Sequence, residues 1–365
     1  MPSWSKLSYR SVFHLWPNVL VYASAAAVAG LCSALQIPLA WLLGSMVTAI
    51  ILALGGLPAH PPAMCRKAGQ LCIGTGVGLN MTDTALAEVV RWLPLMLATA
   101  IGSVLVTSII SVFLARFARI DMKSSFFACL PGGLAEMGTV GKSFGAEPEP
   151  VAVVQALRVI LVVLFVPSTL IALGMTGAYS APSSSFISMY WVPTLILGGM
   201  VGVLILSRLR LNNPWMLGGV IFAAILASSS VVEGRMPNSV SSLGQLLIGV
   251  AVGSQFRRSI LEKMPRLAAF GTLSIAALSA LLCLYSLILA AIMGMEPAAL
   301  ILATAAGGMS EMSATAQVLH LAVPLVVSFQ IVRSLVVNGL ASYYFVGLSR
   351  VGFFELVARV GSRQK

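Results

Sequence analysis

Along the chain, apolar runs alternate with short polar stretches, and the runs are long. Residues 18–36, 94–115, 151–174 and 267–293 each hold about the twenty apolar residues that a helix needs to cross a hydrocarbon core of roughly 30 Å. Shorter apolar stretches, 38–56 and 68–82, lie between them in the first half. The pattern predicts an all-α, polytopic transmembrane bundle in which helices, having satisfied their own backbone groups, are the elements that lipid tolerates.

The runs repeat. Glu311 lies 175 positions after Glu136, and Gln330 and Arg333 stand at the same distance from Gln155 and Arg158. The register holds upstream, where Gly69-Gln70-Leu71-Cys72-Ile73-Gly74 aligns with Gly244-Gln245-Leu246-Leu247-Ile248-Gly249. Trp41-Leu42-Leu43-Gly44 matches Trp215-Met216-Leu217-Gly218 after a one-residue shift. Agreement at one offset over so long a stretch marks an internal duplication. It divides the chain into a first repeat, 1–178, a Ser/Pro-rich linker, 179–187, and a second repeat, 188–365.

Charge changes this picture by giving the halves opposite orientation. The loop with Asp83, Glu88 and Arg91 corresponds to one with Arg257, Arg258, Lys263 and Arg266, whereas Arg116, Arg119 and Lys123 correspond to Ala291, Gly294 and Ala298. Basic loops stay on the cytoplasmic side, so equivalent loops sit on opposite sides of the membrane and the duplication is inverted. About ten crossings, five per half, satisfy this if residues 124–142 and 298–317 are re-entrant. Both termini, Arg66/Lys67, Arg208/Arg210 and the 257–263 cluster are then cytoplasmic, in the inner membrane of a bacterium.

Composition agrees. Apolar residues make up 58% of the chain and charged residues 9%, with a mean hydropathy of +0.97, against roughly 25% charged in soluble domains. The net charge of +11 resides mainly in loops and reports topology, so nucleic acid is not expected as a partner. His14, His60 and His320 are scattered, and the five cysteines lack CxxC spacing. No metal, no disulfide framework and no cofactor are expected. The first run is read as a retained span rather than a cleaved leader, because it is span-length and lacks a clear small-residue cleavage site.

The candidate chemistry lies where polar groups interrupt apolar runs. PGGLAEM (131–137) and AGGMSEM (306–312) each place a glycine pair, Gly132/Gly133 or Gly307/Gly308, before a glutamate, Glu136 or Glu311. A helix begun at such a pair offers free amides that suit an anion, while its glutamate could cap them, hold a cation or carry a proton. Gln155/Arg158 and Gln330/Arg333 lie one turn apart within the last long run of each half. Unpaired at mid-membrane, the four charges would cost on the order of 10 kcal/mol, so they must be paired or hydrated. Glu136 with Arg158 and Glu311 with Arg333, or the crossed pairs, are the expected partners. A third group, Gly74, Gly76 and Gly249, falls in short glycine-rich runs, read either as close helix packing or as the exposed backbone of a broken helix.

The doubled Gly-Gly-x-x-Glu-Met with its downstream Gln-x-x-Arg resembles the bacterial AbrB-type integral membrane family, from Trp41 to Arg333. Members of that family carry a tandem duplication and are labelled ammonia monooxygenases or regulators of gene expression. They are not the small soluble DNA-binding regulators that share the name. The want of clustered metal ligands argues against an oxygenase, and the want of a soluble basic domain against direct DNA binding. The residues and the resemblance lead to a secondary transporter of a small molecule or ion, embedded in lipid, with a homo-oligomer left open. A membrane sensor acting on expression indirectly is the alternative.

Overall fold

The computed structural model describes residues 5–57, 60–177, 179, 185–209, 211, 213–256 and 264–353. Arg210, Arg257, Arg258, Lys263, both chain ends and most of the linker, on which the expected orientation partly rests, lie outside the described residues.

Fourteen α-helices are present among the described residues, seven before the linker and seven after it. The first seven are α1 (Ser5–Ala34), α2 (Ser45–Leu54, entered through a π-helical turn at Ala40–Gly44), α3 (Ala63–Gly78), α4 (Asp83–Ala118), α5 (Met122–Cys129), α6 (Leu134–Ser143) and α7 (Pro148–Ala172). The second seven are α8 (Trp191–Arg208), α9 (Pro214–Ser228), α10 (Asn238–Gly253), α11 (Pro265–Met293), α12 (Pro297–Thr304), α13 (Met309–Val318) and α14 (Val323–Arg350). The first residues of α3 and α10, α5 and α12, α6 and α13, and α7 and α14 are each 175 positions apart. Among the described residues, six helices, including α4, α7, α11 and α14, are long and apolar enough to cross a membrane. Ala40–Leu54, α9 and α10 are apolar but shorter. Setting aside the four short helices α5, α6, α12 and α13 leaves ten, five per half.

Two compact units form, and each draws on both halves. The first contains α1–α3 with α8–α10. Its packing rests on glycine. A side chain at Gly69 would meet the Gly244 carbonyl at 2.8 Å, and one at Gly244 would meet Cys72 at 3.1 Å, so equivalent positions of α3 and α10 touch one another. Gly74 lies on the Met216 carbonyl and Gly78 on that of Val220; Gly249 lies on the Leu42 carbonyl, 2.6 Å from a would-be Cβ, and Gly253 on that of Met46. These are the same contacts exchanged between halves, as a two-fold relation requires. They also correct one expectation. α3 and α10 run as unbroken α-helices through Gly74, Gly76 and Gly249. Gly74 and Gly249 lack side chains because another helix's backbone occupies that space, which is how small residues bring membrane helices together.

The second unit contains α4–α7 and α11–α14. Here the helices do break, at residues 130–133 and 305–308. α5 and α6 form a hairpin. The Glu147 amide donates to Ser124 Oγ at 2.6 Å, bringing the start of α5 to the end of α6 and the start of α7. A side chain at Gly141 of α6 would lie 3.3 Å from Phe127 of α5. α12 and α13 form the second hairpin. The position of Gly177, just beyond α7, touches both Glu296 at the start of α12 and the His320 carbonyl after α13. The Gly177 amide also donates to Leu319 O at 2.9 Å.

α7 therefore has the base of one hairpin at its beginning and the base of the other beyond its end. At 1.5 Å per residue it separates them by about 37 Å. The hairpins enter from opposite ends of the unit, which is the inverted arrangement.

Candidate functional site

Both tips reach the middle of α7. Arg158 Nη1 donates to Leu130 O at 2.6 Å and Nη2 to Gly132 O at 2.9 Å, so the first tip lies at Arg158. A side chain at Gly307 of the second tip would lie 3.2 Å from Val162, one turn further on. α14 meets the tips in the reverse order, the second at Arg333 and the first at Asn338. Gly132, Gly133, Glu136, Gln155, Arg158, Gly307, Gly308, Glu311, Gln330 and Arg333 thus all stand at or beside the two tips. Gly74, Gly76 and Gly249 belong to the other unit.

The arginines do not pair with the glutamates. Among the described residues, neither carboxylate comes within the 4.0 Å of an ion pair with Arg158 or Arg333. Each arginine instead caps the end of the helix that enters its tip. Gln155 Nε2 donates to Phe127 O at 2.8 Å and Leu130 O at 2.9 Å, beside the Arg158 bonds. Gln330 Nε2 donates to Leu302 O at 2.7 Å, and Arg333 to Thr304 O at 2.9 Å, to Ala305 O, and to Gly307 O at 3.3 Å. The last carbonyls of a helix have no partner within it, and at this depth water does not serve them. A guanidinium supplies both the hydrogen bonds and the positive charge that the helix C-terminus favours.

The glutamates serve the next helix. Gly133 and Gly308 are the residues before α6 and α13, and a side chain on either would collide with the carboxylate of Glu136 or Glu311. Each carboxylate therefore folds back over the helix start that it follows, where negative charge is favoured. The second glycine of each pair is required by the glutamate three residues on.

The halves differ in detail. Glu311 is 1% exposed, whereas Glu136 is half-buried. Glu311 Oε2 accepts from Ser310 Oγ at 3.0 Å, and its Oε1 is buried without a partner. Asn338 Oδ1 accepts from the Gly133 amide at 3.2 Å, while Asn338 Nδ2 donates to Ser334 Oγ at 3.1 Å. The equivalent of Asn338 is Val163, which can make no such bond. Sequence reading missed Asn338 because nothing doubles it. An apolar cavity of about 270 Å³ adjoins the second tip, lined by Thr304, Ala305 and Ala306 with residues of α7 and α11 such as Val162, Phe165 and Cys283. Among the described residues no three His, Cys, Asp or Glu side chains cluster.

Two re-entrant hairpins with charged tips, inserted from opposite ends into a bundle of apolar helices, define a helical membrane protein built on an inverted duplication. The family model described as "Transition state regulatory protein AbrB" matches residues 41–347, and the chain belongs to this AbrB family. It is similar to "Uncharacterized protein YhjN" of Bacillus subtilis (strain 168), at 26% identity over 363 residues, covering 91% of this chain and 93% of the relative. It is also similar to "Putative regulator AbrB" of Escherichia coli (strain K12), at 27% identity over 327 residues, covering 86% and 91%.

Proposed function

We propose that the protein is a secondary transporter of the bacterial inner membrane, with both termini cytoplasmic, which moves a small solute through the place where the hairpin tips meet. The observation that carries this reading is the pair of broken helices entering from opposite ends and stopping at the same level of α7 and α14. Irregular backbone is tolerated at membrane depth where protein buries it or a cavity hydrates it, and in inverted-repeat transporters such backbone forms the binding site. Glu136 and Glu311 are the coupling candidates, and the Gln/Arg pairs hold the tips in place.

The name of the Escherichia coli relative favours a second reading, a membrane sensor that binds a solute and acts on expression through a partner.

The test uses purified protein in sealed vesicles loaded with a pH-sensitive dye. Sodium salts of small acids, neutral sugars and amines are added in turn under an imposed pH gradient. A transporter gives a saturable flux with at least one class. That flux should fall in Glu136→Gln and in Arg333→Lys, and full activity in both would remove these residues from the mechanism. Saturable binding without flux in any condition would replace the transporter with the sensor.

A further inference from the structure

Away from the hairpin tips, the second unit has a basic and aromatic corner where the end of α4 meets the start of α11. Arg266 Nε donates to Phe117 O at 2.7 Å, so its guanidinium lies against the last turn of α4. Phe117 stacks on Phe270 with ring centroids 5.6 Å apart, Phe113 packs on Phe117 at 4.4 Å, and the Arg266 guanidinium sits 5.8 Å from the Phe270 centroid. Residues 113, 116 and 117 share one face of a helix, and so do 266 and 270, which puts Arg116 on the face of α4 that meets α11. Arg119 follows in the left-handed residue that ends α4, and all three arginines are exposed. Among the described residues none of them is in an ion pair. The apolar run 94–115 ends just before Arg116, and the run 267–293 begins just after Arg266, so the corner stands at the boundary between hydrocarbon and headgroups. An arginine at a helix end ordinarily extends to water. Arg266 is instead held on the neighbouring helix by its Nε, which leaves its Nη groups for another partner.

The other end of the same helix pair shows that packing does not require these groups. A side chain at Gly102 would lie 2.9 Å from Tyr285 Oη, so α4 and α11 run antiparallel, and their remaining ends form the two-fold equivalent of the corner. There Arg266 corresponds to Arg91, but Arg116, Arg119, Phe113, Phe117 and Phe270 correspond to Ala291, Gly294, Ile288, Ile292 and Leu95. One end alone carries three arginines over three phenylalanines. Guanidinium groups match phosphate oxygens, and basic sites between membrane helices take anionic headgroups. A soluble phosphate has no use for the phenylalanines, and a lipid without net charge gains little from three arginines.

We infer that the corner between α4 and α11 binds an anionic phospholipid, with Arg116 and Arg266 on its phosphate, Arg119 adding positive charge, and an acyl chain beside Phe117. The site uses none of the tip residues, so it holds whether the protein transports or senses.

The test is lipid binding, measured apart from flux. Purified full-length protein in a neutral detergent is titrated with phosphatidylglycerol, with phosphatidylcholine of the same chains, and with glycerol 3-phosphate, and bound molecules are counted by native mass spectrometry. Phosphatidylglycerol should bind about tenfold more tightly than phosphatidylcholine, and glycerol 3-phosphate should not compete with it. Arg116→Gln, which removes no hydrogen bond among the described residues, should weaken phosphatidylglycerol by about fivefold and leave phosphatidylcholine unchanged. Arg266→Gln should do the same, and if it does not fold, Arg116→Gln decides alone. Arg91→Gln, at the equivalent end, should leave both lipids unchanged. Equal affinity for the two lipids, unaltered affinity in Arg116→Gln, or an equal loss in Arg91→Gln would overturn the assignment. Competition by glycerol 3-phosphate at the affinity of the lipid would overturn it too, in favour of a soluble phosphate ester.

Discussion

The two hairpins are built from the same motif by the same rules, yet they are held differently. The second tip is gripped by five side-chain nitrogen contacts from Arg333 and Gln330 to the carbonyls of Leu302, Thr304, Ala305 and Gly307, and its glutamate is sealed at 1% exposure. The first tip has fewer bonds from its own arginine, a half-exposed glutamate, and Asn338 as an additional partner. In a strictly two-fold molecule these environments would be identical. The second hairpin therefore encloses its glutamate, whereas the first leaves Glu136 partly exposed.

The largest effects should come from removing the arginines. Arg333→Ala strands the carbonyls of Thr304 and Gly307, because Gln330 still reaches Ala305 O, and each buried acceptor costs about 1–3 kcal/mol. Arg158→Ala strands Gly132 O alone, because Gln155 still reaches Leu130 O. Thermal unfolding in detergent should show a loss on the order of 3 kcal/mol or more for Arg333→Ala and roughly 2 kcal/mol for Arg158→Ala. Equal losses would mean that the two tips are gripped alike.

Next come the glycines that make room for the glutamates. Gly308→Ala drives a Cβ into a carboxylate that is fully enclosed, so the hairpin must shift, at a cost of about 2 kcal/mol within the range for overpacking. In Gly133→Ala the partly exposed Glu136 side chain has room to move, and the cost should be below about 1 kcal/mol. The same melting experiment separates them, and a larger loss at Gly133 would contradict the tighter enclosure of the second glutamate.

Much of this arrangement is legible in the amino-acid sequence. The offset of 175 locates the starts of four helix pairs, and the Gly-Gly positions locate the breaks, because a duplicated signal is hard to produce by chance. Charge asymmetry between equivalent loops indicates the inversion that α7 displays through the hairpin bases at its two ends. What the sequence does not carry is which buried group meets which. Arg158 and Glu136 are opposite charges a few turns apart, and pairing them is the natural expectation. The carbonyls of Leu130 and Gly132 have no sequence signature, since every residue has one. Only the fold reveals that the end of a broken helix is delivered to the arginine. The glycines of α3 and α10 mislead in the same way, because a glycine at a break and a glycine at a close crossing look alike in sequence.

A smaller change tests the contact that the duplication does not share. Asn338→Val gives the second half the residue that the first has at Val163. It removes the hydrogen bond to the Gly133 amide, which should cost about 1 kcal/mol. Hydrogen exchange at the Gly133 and Leu134 amides should accelerate, while the amides at Gly308 and Met309 should be unaffected. Acceleration at both tips would show that the hairpins respond as one body.

The smallest effect has the opposite sign. Gly138 lies inside α6 with no atom of another residue near a would-be Cβ, and its counterpart in α13 is Ser313, whose buried hydroxyl bonds to Met309 O at 2.5 Å. Glycine in a helix interior is less favourable than alanine by roughly 0.5–1 kcal/mol, because more backbone freedom is lost on folding. Gly138→Ala should therefore raise the melting temperature slightly, whereas Ser313→Ala, in a filled position, should leave it level or lower. If α6 must change conformation as the first hairpin opens and closes, the stiffer alanine helix should slow flux while stabilising the protein. Stabilisation with unchanged flux would place the moving part at the 130–133 break and make α6 a rigid body that follows it.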